Sequence, residues 1–261
     1  MLTLEEMNNS PFPYYDENIF NKYWDGNPIP LNKLTPQAHI WSSRGCPFKC
    51  IFCVWPATMT GNDPDGEQKR SVRQYTPEYM ENFLDHLTSK YKFEAIYFDD
   101  DTFNIGNKHT ENISKVVGKY NIPWFAMCRA DTSRKQSWDI MKQNGCLGVK
   151  LGIESGSQYV VDKIVNKHLD LKYASEIVNY IRNLDMSVHG TFTYGLPGET
   201  KEQMLETKNF IQNTKFNTFQ ESGTAEIEST PLHTLNKKDL PNYPGASITE
   251  EYDRQKDGGK K

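Results

Sequence analysis

Three cysteines lie within eight residues, Cys46-Pro-Phe-Lys-Cys50-Ile-Phe-Cys53. This C-x3-C-x2-C spacing offers three thiolates from one short loop. Gly45 and Pro47 keep the loop out of regular helix, so it can wrap around a ligand. Three soft sulfur donors suit an iron–sulfur cluster or a zinc ion. A cluster held by three cysteines leaves one iron open for chemistry, whereas structural zinc asks for a fourth ligand at finger-like spacing. None stands between Cys53 and His86, and His39 falls inside an apolar run, so a zinc-stabilised structural domain is the weaker reading.

Other residues with chemical potential recur at one kind of place. Asp99-Asp100-Asp101 follows the apolar run Ala95–Phe98, Arg129 follows Trp124–Cys128, and Glu154 follows Leu147–Ile153. Gly195-Leu196-Pro197-Gly198 follows Ser187–Tyr194, as the cysteine loop follows Ala38–Ser43. Each has a plain structural alternative. The aspartates could cap a helix, Arg129 and Glu154 could form an ordinary buried ion pair, and the glycine turn could simply join a strand to a helix.

The elements that position these residues alternate. A helix opens at Thr76-Pro77 with Met80, Phe83, Leu84, Leu87 and Tyr91 on one face. A second carries Ile113, Val116, Val117 and Tyr120, and a third, around 137–144, stops at Gly145. Ala174, Ile177, Val178, Ile181 and Leu184 mark a fourth, and Thr200-Lys-Glu-Gln203 opens a fifth as a capping box. A weak sixth strand falls near 218–227. Strand–helix alternation predicts a parallel sheet with helices outside it. Six such repeats in roughly 190 residues fall short of the eight of a closed barrel. The expected fold is α/β, a partial (β/α)6 TIM-like barrel over 37–233, with an N-terminal extended arm (1–36) and a polar, flexible tail (234–261). In such sheets ligands bind at the carboxyl ends of strands, which would bring all five reactive segments to one rim.

Composition narrows the class further. The 261 residues are 36% hydrophobic with a net charge of −4, which argues against a free-standing nucleic-acid binder. The opening Met1-Leu-Thr-Leu-Glu-Glu has neither the basic flank nor the apolar core of a secretion signal, and no apolar run reaches membrane-spanning length. Five cysteines, an odd number and mostly clustered, fit a reduced, cytoplasmic protein. Cys128 and Cys146 read as small buried hydrophobes. The six histidines show no ligand spacing.

The loop wording Ser43-Arg-Gly-Cys-Pro-Phe-Lys-Cys50, with Phe52 before the last cysteine, resembles the radical S-adenosylmethionine enzymes. The similarity spans roughly residues 8–232. It is strongest to the branch of cobalamin-dependent methylases and methylthiotransferases, including Pro11-Phe12-Pro13 and Phe98-Asp-Asp-Asp-Thr-Phe103. The resemblance implies a [4Fe–4S] cluster on Cys46, Cys50 and Cys53, the catalytic and metal-binding residues, with S-adenosylmethionine on its fourth iron. It places Phe52 near the adenine, Asp100 and Asp101 on the methionine amino group, Arg129 on the carboxylate and Glu154 on the ribose hydroxyls. Gly195 would bring backbone to the adenine edge.

The implied reaction is reductive cleavage of S-adenosylmethionine to a 5′-deoxyadenosyl radical that attacks an unidentified substrate, with methylation as one outcome. A flavodoxin- or ferredoxin-type donor would supply the electron, and a small molecule or lipid-like compound is a better substrate candidate than nucleic acid. The cobalamin fingerprint D-x-H-x-x-G is missing, so cobalamin would come through a partner subunit or a missing domain. A catalytically silent partner or sensor subunit that keeps the cluster is the alternative. Tyr14, Tyr15, Tyr23 and Trp24 are expected to cover the mouth of the barrel, and Trp55-Pro56 resembles hopanoid-pathway relatives.

Overall fold

The computed structural model describes residues 3–23, 33–54, 72–228 and 230–234. Trp24, Trp55-Pro56 and the expected tail beyond 234 lie outside the described residues. Strands β1 (Gln37–Ile40), β4 (Ala95–Phe98), β5 (Trp124–Cys128), β6 (Cys146–Glu154), β7 (Ser187–Tyr194) and β8 (Thr218–Gly223) form one six-stranded sheet in the order β1-β4-β5-β6-β7-β8. Every pairing is parallel, and β1 and β8 stand at the two edges, so the sheet is open. A short antiparallel pair, β2 (Ser43–Arg44) with β3 (Arg73–Gln74), flanks the cysteine loop.

Parallel neighbours need a crossover, and helices supply it: α2 (Pro77–Lys90), α3 (Asn107–Gly118), α4 (Lys135–Gln143), α5 (Leu171–Asn183) and α6 (Lys201–Thr214). Their starts follow local chemistry. Thr76 accepts a hydrogen bond from the Tyr79 amide ahead of Pro77, and Thr200 and Gln203 cap α6 reciprocally. Helix α4 ends where Gly145 takes φ 88°, the left-handed turn that glycine adopts without steric cost.

Alternate strand residues decide where the core sits. Val149, Leu151 and Ile153 of β6 and Val188 and Phe192 of β7 pack with Ile113, Val117, Ile177 and Ile181 of the helices into one large cluster. Trp124, Trp138, Tyr194, Phe98 and Phe103 are its largest sealed side chains. The opposite face carries the other parity of residues, with a small apolar patch of Ala95, Tyr97 and Phe125.

The N-terminal segment begins with helix α1 (Leu4–Asn8), capped by Thr3, and lies against α2. Phe12 stacks on Phe83 at 5.3 Å. The tyrosines expected over the mouth go elsewhere. Tyr15 is buried against Tyr91 and Phe93, just before β4, and the Tyr23 carbonyl accepts from the amide of Gln37, the first residue of β1. Both sit at the amino ends of the strands, opposite the cysteine loop, where Tyr91 and Phe93 offer Tyr15 edge-to-face aromatic partners. Tyr14 is exposed, with Lys90 over its ring.

Candidate active site

The cysteine loop leaves β2 through Gly45, at φ 95°. Aspartates from the end of β4 set its course. Asp100 is 2% exposed and accepts from the Ser42 amide at 3.1 Å, the Ser42 hydroxyl at 2.8 Å and the Ser43 hydroxyl. Burial pushes its carboxyl up to about 6, against the lowering effect of those donors. His109 of α3 lies 3.1 Å from the Ser42 hydroxyl, and burial holds its imidazole neutral, down to about 4. Asp100 therefore sits behind the loop and fastens it instead of facing the opening. Asp101 is only partly buried, and its Oδ2 accepts from the Gly45 amide at 2.6 Å.

Three more contacts hold the loop from the other side. The Ile51 amide donates to the Val165 carbonyl at 3.0 Å, and Asn166 Nδ2 donates to the Lys49 carbonyl at 3.1 Å. The Leu232 amide donates to the Ile51 carbonyl at 2.8 Å, with the Leu232 side chain sealed. Phe52 and Cys50 pack with Ile164 against buried Val160, Val165 and Leu196. Leu196 belongs to the glycine turn after β7, so Phe52 and Gly195 lie on neighbouring parts of one apolar wall. A single π-helical turn, Val160–Ile164, supplies much of that wall, and such turns are frequent at functional sites.

Cys46, Cys50 and Cys53 form no disulfide and are of intermediate exposure. Burial raises the Cys50 thiol above its ordinary value. Cys46 Sγ stands 3.8 Å from the Thr102 hydroxyl. Among the described residues no three His, Cys, Asp or Glu side chains are gathered at metal-ligand spacing. The fit to an iron–sulfur cluster thus rests on the donor set, three thiols on one pinned, glycine-led loop, and holding a cluster requires them to turn toward a common point.

Arg129, just beyond β5, is held at both ends. Asn104 grips its backbone, accepting from the Arg129 amide at 2.9 Å and donating to its carbonyl at 2.8 Å. Its guanidinium donates to Asp131 at 2.5 and 2.9 Å and to the Lys167 carbonyl at 2.5 Å, and lies 3.7 Å above the Phe48 ring of the cysteine loop. Glu154 ends β6 at φ 74°, a left-handed conformation that is strained for a residue with a side chain, and strain of this kind collects at functional sites. Its Oε1 accepts from Lys167 Nζ at 2.9 Å. Arg129 and Glu154 are not paired to each other, as the plainer reading would have it. Each has its own partner, and Lys167 touches both.

Gly195 takes φ 74°, and its amide and that of Leu196 donate to Glu199 Oε2 at 2.8 and 3.2 Å. Glu199 is sealed, its Oε1 has no hydrogen-bond partner among the described residues, and burial pushes its carboxyl up to about 7. The structure thus brings the cysteine loop, Asp101, Arg129, Glu154 and Gly195 to the carboxyl ends of five neighbouring strands. Sequence reasoning missed Asn104, Asp131, Lys167 and Glu199. Only Asp131 left a signal, its acid two residues after an arginine. The others act across turns whose folding no spacing reveals.

The sequence pattern of the Radical SAM superfamily matches residues 42–211, and the chain belongs to that superfamily. Membership implies a [4Fe–4S] cluster and S-adenosylmethionine as cofactors. The cytidylyl-2-hydroxyethylphosphonate methyltransferase of Streptomyces wedmorensis is 26% identical over 224 residues, covering 81% of this chain and 40% of the relative. An uncharacterized methyltransferase of Pyrococcus horikoshii is 28% identical over 212 residues, covering 80% and 42%. The radical S-adenosylmethionine methyltransferase TsrM from Kitasatospora setae shares the fold with a TM-score of 0.64 at 16% identity, covering 75% of this chain and 37% of that one. The chain spans about two-fifths of the length of the curated relatives it matches. Among the described residues no helix is long and apolar enough to cross a membrane.

Proposed function

We propose that this chain is a cytosolic radical enzyme that modifies a small organic or lipid-like substrate, with methyl transfer as the favoured outcome. The observation that carries the reading is the convergence of the cysteine loop, Asp101, Arg129, Glu154 and Gly195 on one rim within a radical SAM sequence match. Methyl transfer is favoured because relatives matching four-fifths of the chain are named as methyltransferases.

Cys46, Cys50 and Cys53 would hold the cluster, and Phe52 and the Gly195 turn would wall the adenine. Arg129, with Nη1 making no hydrogen bond among the described residues, would take the carboxylate of S-adenosylmethionine. Glu154 would accept from the ribose hydroxyls and Asp101 from the amino group, while Asp100 fixes the loop from behind. When bound, the cluster and S-adenosylmethionine supply one-electron cleavage of a sulfonium bond and a 5′-deoxyadenosyl radical. The protein's own part is to orient the reactants and exclude water. The electron would come from a flavodoxin- or ferredoxin-type donor, and cobalamin through a partner or a further domain.

The test is anaerobic reconstitution followed by dithionite reduction with S-adenosylmethionine. Iron near four per chain and release of 5′-deoxyadenosine are expected, and both are lost in Cys50→Ala. Iron without 5′-deoxyadenosine would favour a silent cluster-binding subunit, and stoichiometric zinc without iron a structural domain.

A further inference from the structure

Between β6 and α5 the chain runs through Val165-Asn166-Lys167-His168, with Asn166 at φ 57° and His168 at φ 52°. Two left-handed non-glycine residues flanking one lysine are costly, and such backbone persists where surrounding contacts over-determine it. Here those contacts are visible. The Val165 carbonyl takes the Ile51 amide at 3.0 Å, Asn166 Nδ2 reaches the Lys49 carbonyl at 3.1 Å, the Lys167 carbonyl takes Arg129 Nη2 at 2.5 Å, and Lys167 Nζ meets Glu154 Oε1 at 2.9 Å. Three successive residues thereby tie together the cysteine loop, the arginine after β5 and the carboxylate after β6. The Lys167 amide is itself anchored on the Val161 carbonyl at 2.9 Å.

A second feature shows that space is kept for this arrangement. Lys167 is only 8% exposed, and a Cβ placed on Gly152 would stand 2.6 Å from Glu154 Oε1 and 3.0 Å from Lys167 Nζ. The ion pair fills the volume that a side chain at 152 would take. With Oε1 held by the ammonium, Glu154 Oε2 makes no hydrogen bond among the described residues and remains an acceptor. We infer that Lys167 is a positioning residue for S-adenosylmethionine: its ammonium orients Glu154 and its carbonyl orients Arg129, so that the carboxylate and the guanidinium present their remaining polar atoms to one ligand. This rests on the reading that Glu154 and Arg129 receive that ligand. A merely structural buried ion pair would stabilise the fold without selectively changing affinity.

The experiment uses the full chain, reconstituted anaerobically, as wild type, Lys167→Met, Lys167→Arg, Glu154→Gln, the Lys167→Met/Glu154→Gln double variant and Gly152→Ala. Iron content reports the cluster. Equilibrium dialysis gives the affinity for S-adenosylmethionine, and electron paramagnetic resonance of the reduced cluster, with and without it, gives an independent signature. Lys167→Met is expected to keep its iron, weaken binding about tenfold and blunt the ligand-induced spectral change. Lys167→Arg should return to within about threefold of wild type, and Lys167→Met should add less than about twofold on top of Glu154→Gln, because the lysine acts through the glutamate. Where Lys167→Met does not fold, Gly152→Ala decides the matter: it displaces the pair without removing a charge and should weaken binding similarly. Wild-type affinity in folded Lys167→Met or Gly152→Ala, or full additivity of Lys167→Met with Glu154→Gln, overturns the inference alone, whereas wild-type affinity in Glu154→Gln overturns the role of Glu154 on which it rests. A wild-type cluster protein that fails to bind S-adenosylmethionine overturns the functional reading and this inference with it.

Discussion

Cys128 and Cys146 share a chain with the three loop cysteines, yet burial separates their chemistry. Both are sealed in the helix-side core, where desolvation of the thiolate holds the thiols above their ordinary value. In the metal-free protein, iodoacetamide should label Cys46 and Cys53 first and Cys50 more slowly. Cys128 and Cys146 should react only after denaturation, and peptide mass spectrometry reads the order. Asp100 shows how one carboxylate can organise a site without facing it. Asp100→Ala leaves a buried amide and two buried hydroxyls without their acceptor, so a loss of about 2–4 kcal/mol is expected in urea unfolding. Reduced iron uptake on reconstitution should accompany it, because the Ser42–Ser43 link leads directly into the cysteine loop.

Element packing around the β6 end is equally specific. Gly156 follows Glu154 by two residues, and its amide donates to the Thr207 hydroxyl of α6 at 2.9 Å. A Cβ there would stand 2.4 Å from Phe210 Cβ and 2.6 Å from the Thr207 Cα. The helix backbone blocks the space, so Gly156→Ala must push α6 away from the sheet. A loss of about 1–3 kcal/mol is expected, read as a lowered melting temperature. Gly152, four residues earlier, meets only flexible side-chain ends, and its substitution should act on binding more than on stability. The difference lies in what each glycine faces, which their identical letters conceal.

For the whole molecule, buried titratable groups tie stability to pH. Asp100 and Glu199 have folded-state values of about 6 and about 7, above their ordinary 3.8 and 4.5. The native state therefore keeps protons that the unfolded chain releases. Their contribution is complete below about pH 4 and is lost as pH rises through 6 and 7. His109, lowered to about 4 from 6.5, works the other way, losing stability as pH falls from 6.5 toward 4. A paired comparison isolates one group. Between pH 5 and pH 8, wild type should lose unfolding free energy relative to Glu199→Gln, measured by chemical denaturation at both values.

The order of strands and helices was legible because apolar runs and cap residues are local signals. Ala95–Phe98, Trp124–Cys128 and Ser187–Tyr194 appear in the structure with the bounds the sequence suggested. The last strand proved shorter, Thr218–Gly223, and the first run is split into β1 and β2 by Trp41 and Ser42. The rim was legible too, since parallel strands carry whatever follows them to one end. What sequence alone could not determine is which partner each rim residue keeps. Asp100 turned inward to Ser42 and Glu154 took Lys167, because those choices depend on side-chain direction and on turns joining residues 58 and 13 apart in the chain, while Arg129 took Asp131 only two residues on. Local propensity writes the elements; long-range packing and the need to satisfy every buried charge write the site.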